Sequence, residues 1–217
     1  IGQGITLSNW SPGEDEFPKM LDVRRDPSYD TERAHGVYAP INAYPVVESA
    51  LRHKKGLNLE QHQQVIAGIV SRFSQVAAEN PFAWRQSFLS PSDVLDTETG
   101  NRMITYPYTR AMNSILSVDM AATVVMTTVG HARKMGISDC EMVYLRGGAE
   151  ANDIWYFSER TNFHSSPAIR LAAEHSLAMS EISIDEIKYF DIYSCFPSAV
   201  QVAADELELE INDPRGL

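Results

Sequence analysis

The sequence predicts an α/β fold, because strand patterns and helix patterns alternate along the second half of the chain. Short apolar runs at residues 141–146 and 189–193 are typical of buried strands. A proline suited to the first turn of a helix follows each run, at Pro167 and at Pro197. With 217 residues, of which 44% are hydrophobic, the chain can bury one core or two small ones.

The first half of the chain is predicted to hold one long helix between irregular segments. Frequent prolines and glycines predict irregular structure over residues 1–45 and loops with short pieces over residues 81–108. A short helix is expected over residues 46–52. Asn58 then caps a longer helix that ends before Pro81. Apolar residues recur along it at three and four positions: Val65, Ile66, Ile69, Val70, Phe73, Val76 and Ala77.

Helix signals continue in the second half of the chain. Asp119 suits a helix start and Gly136 suits a helix end, which predicts a largely buried helix over residues 120–135. Three further helical segments are predicted from their first residues: a helix from Pro167, a turn from Ser183 with capping-box spacing to Glu186, and a helix from Pro197 to about Leu207.

Composition excludes several classes of function. The chain has 18 Lys and Arg against 29 Asp and Glu, a net charge of −11 that opposes nucleic-acid phosphates. Its most apolar stretch, residues 121–129, is far shorter than the ~20 residues of a membrane span. Two cysteines are too few for a disulfide framework, which favours a cytoplasmic location. Because the chain begins without Met and stops in a turn sequence, we expect a piece of a longer protein.

Few residues are candidates for chemistry. Cys195 stands between a predicted strand and a predicted helix, where the helix dipole can lower a thiol pKa; a small buried apolar residue is the alternative. Gly147 and Gly148 follow a strand pattern and can admit a ligand to the backbone, or simply form a turn. His164 is a candidate in the loop before the Pro167 helix. No histidine pair has metal-ligand spacing, so no metal site is predicted.

Four segments carry a resemblance to a known family. Residues 113–122 are similar to an N-x-S-x-x-N-D-G-A-A block, and residues 166–170 and 182–187 to a G-P-x-x-A helix followed by an L-x-x-D-I-D turn. Residues 191–196 fall where the family has E-x-N-E-A-F, or H-D-C-F in sterol-carrier-protein thiolases. In order and spacing the chain resembles the thiolase superfamily, and in particular bacterial proteins labelled acetyl-CoA acetyltransferases or thiolase-like proteins.

This resemblance implies a thiolase-like fold, layered αβαβα in the complete protein, of which this chain is a partial copy. Residues 1–110 would form the loop region that covers coenzyme A, residues 111–164 the end of the N-terminal thiolase half, and residues 165–217 the start of the C-terminal half. The family's nucleophilic Cys lies upstream of this region and its G-H-P and C-x-G motifs downstream. The isolated chain is therefore expected to be inactive as a thiolase.

The resemblance also implies acyl transfer on acyl-CoA thioesters, in lipid metabolism, with coenzyme A as substrate and no covalently bound cofactor. Cys195 matches the Cys of H-D-C-F, which acts as the second acid/base. Tyr193 stands where the family's Asn or His supports the oxyanion hole, and this departure puts ordinary thiolysis in doubt. Gly147, Gly148 and His164 would lie near bound coenzyme A.

Two other functions remain open at this point. Thiolase-like aldolases of steroid side-chain breakdown also have Tyr at the Tyr193 position, need no nucleophilic Cys, and often act beside a small partner protein. A non-catalytic module that binds coenzyme A or lipid is the third reading. For the complete protein the family implies a homodimer.

Overall fold

Helices make up most of the regular structure. The computed structural model describes residues 25–115, 118 and 121–215. Its helices are α1 (Asp30–Ala34), α2 (Pro40–Lys54), α3 (Leu59–Glu79), α4 (Pro91–Leu95), α5 (Val129–Lys134), α6 (Pro167–Ser180) and α7 (Pro197–Glu206). Its strands are β1 (Met103–Thr105) and β2 (Tyr108–Thr109), and 3-10 turns cover Arg110–Met112, Asp139–Glu141, Phe157–Glu159 and Ile184–Glu186. The expectations for residues 1–24, Asp119, Met120 and Leu217 lie outside the described residues.

The long helix of the first half, α3, confirms the prediction made from its cap. The side chain of Asn58 accepts a hydrogen bond from the Gln61 backbone N–H at 2.8 Å, and the Gln61 side-chain oxygen accepts one from the Asn58 backbone N–H at 3.0 Å. Ile66 and Ile69 of the apolar stripe are fully buried, but Phe73 near its end is exposed. None of the helices in the described residues combines the length and apolarity that a membrane span requires.

Helix α2 is longer than predicted. It begins at Pro40, whose fixed φ suits the first turn, although residues up to 45 were expected to be irregular. Pro45 lies inside the helix and lacks one backbone donor. The helix continues through it because Tyr44 packs on the core before the proline and Leu51 is fully buried after it.

The core lies where α2, α3 and α7 meet the β1–β2 hairpin. Ile66 and Ala67 of α3 contact Val94, Tyr108 and Phe196 in one buried cluster. The hairpin is antiparallel and pairs Met103 with Thr109, which brings Tyr108 into this cluster. The core therefore joins the first half of the chain to the residue that follows Cys195.

The predicted helix over residues 120–135 is wrong for most of its length. Helix α5 begins only at Val129, where the hydroxyl of Thr128 accepts a hydrogen bond from the His131 backbone N–H at 3.3 Å. Val124 is 94% exposed and its neighbour Val125 is exposed as well. β-branched residues have low helix propensity, and a segment this exposed gains no packing energy to offset it.

The two predicted strands of the second half are also wrong as hydrogen-bonded strands. Among the described residues, the segments 141–146 and 189–193 have no ladder partner, and the first begins in a 3-10 turn at Asp139–Glu141. Val143 is 98% exposed. A strand is stable only beside a neighbour, which an apolar pattern alone does not supply. The predicted α/β alternation thus lacks a central sheet in the described chain, and the division into three regions stays a prediction.

The helices that begin at Pro167 and Pro197 confirm their predictions. At the start of α6, the hydroxyl of Ser166 accepts from the Ile169 backbone N–H, and Asp153 accepts from the Ala168 backbone N–H at 3.1 Å. The predicted capping box is also present, since Glu186 accepts from the Ser183 backbone N–H at 2.8 Å. These elements form where their terminal signals are local and their backbone donors are satisfied.

An arginine ties the last described residues to the segment before α7. Arg215 donates to both carboxylate oxygens of Asp213, at 2.9 and 2.7 Å, and to the Ile184 carbonyl at 2.8 Å. Its guanidinium also lies 5.0 Å from the ring centroid of Phe190. The hydrogen bonds from Arg215 lower the pKa of Asp213 to about 2.

We expect Asp213→Asn to lower the free energy of unfolding at pH 5 but to change it little near pH 2. The carboxyl titrates near 3.8 when unfolded and near 2 when folded, so its stabilisation is present above pH about 4 and is lost as pH falls through 2. Urea unfolding at pH 5, 3 and 2 measures this difference. Glu174→Gln, on an exposed position of α6, is the charge-matched control. A constant difference between Asp213→Asn and wild type at all three pH values would contradict the linkage.

Candidate functional site

Cys195 lies in the short segment that leads into α7, and the residue after it is tightly held. Phe196 is 6% exposed. Its ring stacks on Tyr44 with centroids 4.5 Å apart and meets Tyr108 at 5.2 Å. Cys195 itself is half-buried, and its thiol donates a hydrogen bond to the hydroxyl of Tyr193 over 3.8 Å. The structure thus brings together the two residues that the sequence singles out as catalytic candidates.

One cavity, of about 290 Å³, lies on the Cys195 side of this segment. We call it the first cavity. Its wall is formed by α3, by the loop that carries Arg85, by residues 111–115 and by residues 194–197. The described residues that line it include Arg85 and no Asp or Glu, so its net charge is positive in an otherwise acidic chain.

A larger cavity, of about 630 Å³, lies on the Tyr193 side, and we call it the second cavity. Residues of α2, α6 and α7 form most of its wall, which is largely apolar. Tyr44 and Tyr193 supply phenol groups, Arg160 supplies one positive charge, and Asp153 and Asp191 supply two negative charges. A pocket that is apolar with a few convergent polar groups is typical of small-molecule sites.

Segments that are far apart in the sequence meet at these cavities. The Ser114 backbone N–H donates to the Cys195 carbonyl at 3.2 Å, which joins the start of the 113–122 block to the Cys195 segment. Asn113 lines the first cavity, and its side chain donates to the Thr109 carbonyl at 2.6 Å. Ser166, from the 166–170 segment, lines the second cavity. The described parts of three of the four family segments therefore converge around Cys195 and Tyr193, and the 182–187 turn lines neither cavity.

The pKa of Tyr193 determines what this phenol can do beside Cys195. The hydrogen bond with Cys195, together with the charge of its thiolate, raises the pKa of Tyr193 above its usual value. Tyr193 is 89% exposed, so its hydroxyl can reach a bound molecule while it remains protonated at neutral pH. Burial, followed by the charge of Cys195, raises the pKa of Tyr44 as well. Both phenols are therefore proton donors and not bases near pH 7.

The other predicted site residues lie elsewhere. Gly147, Gly148 and His164 are not among the residues that line either cavity. Gly147 packs against α6, where an added Cβ would collide with the Ser176 carbonyl and lie 2.5 Å from the Ser180 hydroxyl. Their contact with coenzyme A stays a prediction.

Sequence reasoning did not find several residues of the site. Tyr44 and Arg160 of the second cavity and Arg85 of the first lie in no recognisable motif. A group of buried polar side chains behind Phe196, which includes His62, was missed too. The available sequence signal for this group is that Glu48 and His62 each stand one helical turn from apolar residues of α2 and α3. Among the described residues, no group of three or more His, Cys, Asp and Glu is placed to hold a metal ion.

Comparison with known proteins places the chain in a family. It is similar to the crystal structure of a monomeric SCP2-thiolase like protein type 1 from Mycobacterium smegmatis, with a TM-score of 0.72 and 34% sequence identity over 82% of this chain. The chain belongs to the thiolase-like proteins. Neither a protein-family model nor a curated protein matches it.

This thiolase-like chain spans 39% of the length of the mycobacterial protein. That protein is described as monomeric, so it gives no support to the homodimer expected from the sequence. The similarity supports a thiolase-like fold, although the described residues are rich in helix and contain only the β1–β2 pair as strands.

We expect Gly147→Ala to destabilise the protein by about 1–3 kcal/mol, because its Cβ would force α6 away from the preceding loop. Gly148→Ala is the matched control, since a Cβ there meets open space, and it should change stability by less than about 0.5 kcal/mol. Thermal and urea unfolding of the two variants measure this. Equal stability of the two variants would show that the close packing of Gly147 on α6 does not matter.

Proposed function

We propose that this thiolase-like chain carries part of an acyl-CoA active site of the acyltransferase type, in which Cys195 transfers a proton and Tyr193 donates a hydrogen bond. The observation that supports it best is the hydrogen bond from the Cys195 thiol to the Tyr193 hydroxyl, between a cavity on each side. An acid/base pair beside space for two parts of a ligand suits carbon–carbon bond making or breaking next to a thioester.

In this mechanism the thiolate of Cys195 takes a proton from the α-carbon of the acyl group. The electron pair left behind delocalises onto the thioester oxygen, where the protonated Tyr193 donates a hydrogen bond. In the opposite direction, the Cys195 thiol returns the proton to the α-carbon when a carbon–carbon bond breaks. The raised pKa of Tyr193 suits it to the donor role and not to the role of base.

The charge distribution supports one orientation of the substrate. The first cavity has Arg85 and no acidic lining among the described residues, which suits the anionic coenzyme A part. The second cavity is larger and mostly apolar, and Asp153 and Asp191 together outweigh the charge of Arg160 there, which suits the acyl part and not the phosphates. The reacting carbon would then lie between the two cavities, beside Cys195 and Tyr193.

The same proposal extends to the function of the complete protein. It would be an enzyme of lipid metabolism of the acetyl-CoA acetyltransferase type, in the cytoplasm, and its nucleophilic Cys would come from a part of the protein outside this chain. Binding of coenzyme A as a substrate, and assembly as a homodimer, belong to this proposal too.

A second candidate is aldolase-type cleavage of a β-hydroxyacyl-CoA. The observation that favours it is the exposed hydroxyl of Tyr193, which receives its hydrogen bond from Cys195 and keeps its own proton available. In such a cleavage the β-hydroxyl proton passes to water and the bond between the α- and β-carbons breaks to leave an enolate. A phenol so placed donates a hydrogen bond to the enolate oxygen, and the Cys195 thiol then protonates the α-carbon. This reaction needs no covalent acyl intermediate.

Proton transfer is tested by exchange of the α-protons of acetyl-CoA in heavy water, followed by proton NMR. We expect the chain to catalyse exchange without thiolysis of acetoacetyl-CoA. Cys195→Ala should slow exchange at least about 100-fold and Tyr193→Phe at least about 10-fold, since these are the usual contributions of an acid/base and of a polar donor. Cys140→Ser is the control, because Cys140 is exposed and its thiol contacts Ser138.

The outcomes separate the candidates. Cleavage of a β-hydroxyacyl-CoA without added coenzyme A would favour the aldolase. Binding of acyl-CoA with neither exchange nor cleavage would leave a non-catalytic module, and exchange that survives in Cys195→Ala would remove Cys195 from the mechanism.

The orientation makes its own prediction. We expect Arg85→Gln to weaken coenzyme A binding by about 5- to 50-fold, because a charge-assisted bond to phosphate is lost. Arg133→Gln removes the same charge from the surface, where Arg133 pairs with Asp139, and should leave affinity unchanged within about two-fold. Isothermal titration calorimetry at two salt concentrations measures both. Equal affinities of the two variants would overturn the orientation.

A further inference from the structure

Five polar side chains lie buried together behind the segment that carries Cys195. We call them the buried polar cluster: Glu48 of α2, His62 of α3, Tyr108 of β2, and Ser198 and Gln201 of α7. Each is nearly or completely shielded from solvent. They come from four separate elements, and none of them lines either of the two cavities described above.

Glu48 is the centre of this cluster. One of its carboxylate oxygens receives hydrogen bonds from His62 Nε2 at 2.6 Å and from Gln201 Nε2 at 2.7 Å. The other receives the Tyr108 hydroxyl at 2.6 Å. A buried carboxylate without such donors is very costly, so each partner is held strongly in place.

Tyr108 connects Glu48 to the Cys195 segment at two points. Its hydroxyl is 2.8 Å from that of Ser198, in the first turn of α7 and three residues after Cys195. Its ring contacts Phe196, the residue that directly follows Cys195. Burial, and then the charge of Glu48, raise the pKa of Tyr108 well above its usual value, so the phenol is always available as a donor.

The hydrogen bond between His62 and Glu48 also has a fixed donor atom. Its Nε2 points to Glu48, and its Nδ1 is buried with no partner among the described residues. Both residues line a small cavity of about 50 Å³, beside Arg52 and Tyr106, which has room for water. With its proton on Nε2, the ring donates to Glu48 whatever group Nδ1 contacts.

We propose that Tyr108, held by Glu48 and His62, is a positioning residue that fixes the Cys195 thiol against Tyr193. This deepens the proposed function and rests on it for the role of Cys195, but the position of the thiol can be measured without any turnover. Side-chain orientation by a second layer of hydrogen bonds is a common requirement of acid/base sites.

The test is the rate at which iodoacetamide alkylates Cys195 in a Cys140→Ser background, followed by intact-mass spectrometry. Tyr108→Phe removes the hydroxyl but keeps the ring on Phe196, and should raise the rate at least about three-fold by loosening the segment. Thr109→Val is the matched control. It removes a buried hydroxyl from the neighbouring residue, where the partner is the Val94 carbonyl and not the cluster.

Two further variants test whether the effect passes through Glu48. His62→Gln can still donate to Glu48 and should keep the wild-type rate, whereas His62→Leu cannot and should match Tyr108→Phe. Circular dichroism and urea midpoints establish that each variant is folded at the assay temperature. If Tyr108→Phe fails to fold, the alkylation rates of His62→Gln and His62→Leu alone decide whether the proposal stands.

A rate for Tyr108→Phe no higher than that of Thr109→Val would overturn the proposal, and so would equal rates for the two His62 variants. If Tyr108→Phe speeds alkylation of Cys195 but the wild-type chain catalyses no α-proton exchange, the positioning inference stands and the proposed function fails. If the wild-type chain catalyses exchange but Tyr108→Phe leaves the alkylation rate of Cys195 unchanged, the proposed function stands and the positioning inference fails.

Discussion

Burial of Phe196 is the interaction on which the rest of the site depends. Its ring lies against both Tyr44 and Tyr108, and burying such a side chain is worth roughly 1.5–3 kcal/mol, with about 0.5–1.5 kcal/mol more from each aromatic pair. The thiol hydrogen bond from Cys195 to Tyr193 is weak by comparison. Packing of Phe196 therefore places Cys195, and the hydrogen bond to Tyr193 follows from that placement.

The hydrogen bonds of the buried Glu48 carboxylate restrict small shifts of this packed segment. Apolar contacts tolerate small shifts, whereas a buried carboxylate that loses one donor pays a full desolvation penalty of about 1–3 kcal/mol or more. Because Tyr108 both donates to Glu48 and packs on Phe196, a shift of the Cys195 segment would disturb both kinds of interaction. Polar and apolar contacts thus select the same arrangement.

The elements that could be predicted from the sequence are those whose signals are local. Asn58 with Gln61, and the prolines at 167 and 197, mark helix starts within one turn of the chain, and these helices form. The segment 189–193 and the residues around Val124 depend on a neighbour that sequence periodicity does not identify. Cys195 was found from its place between a predicted strand and a predicted helix, and Tyr193 through a family resemblance. The Glu48 cluster spans four elements and leaves no spacing pattern to detect.

Charge explains why the site must be local in its recognition of an anionic ligand. A chain with a net charge of −11 repels the phosphates of coenzyme A at long range, so attraction must come from cations within a Debye length of about 8–10 Å. Arg85 meets this condition at a cavity without acidic lining in the described residues, whereas Arg160 shares its cavity with Asp153 and Asp191. Under the proposed function, an acidic protein with one positive cavity next to a largely apolar one would bind an acyl-CoA with its phosphates at Arg85, and this orientation would bring the thioester to Cys195.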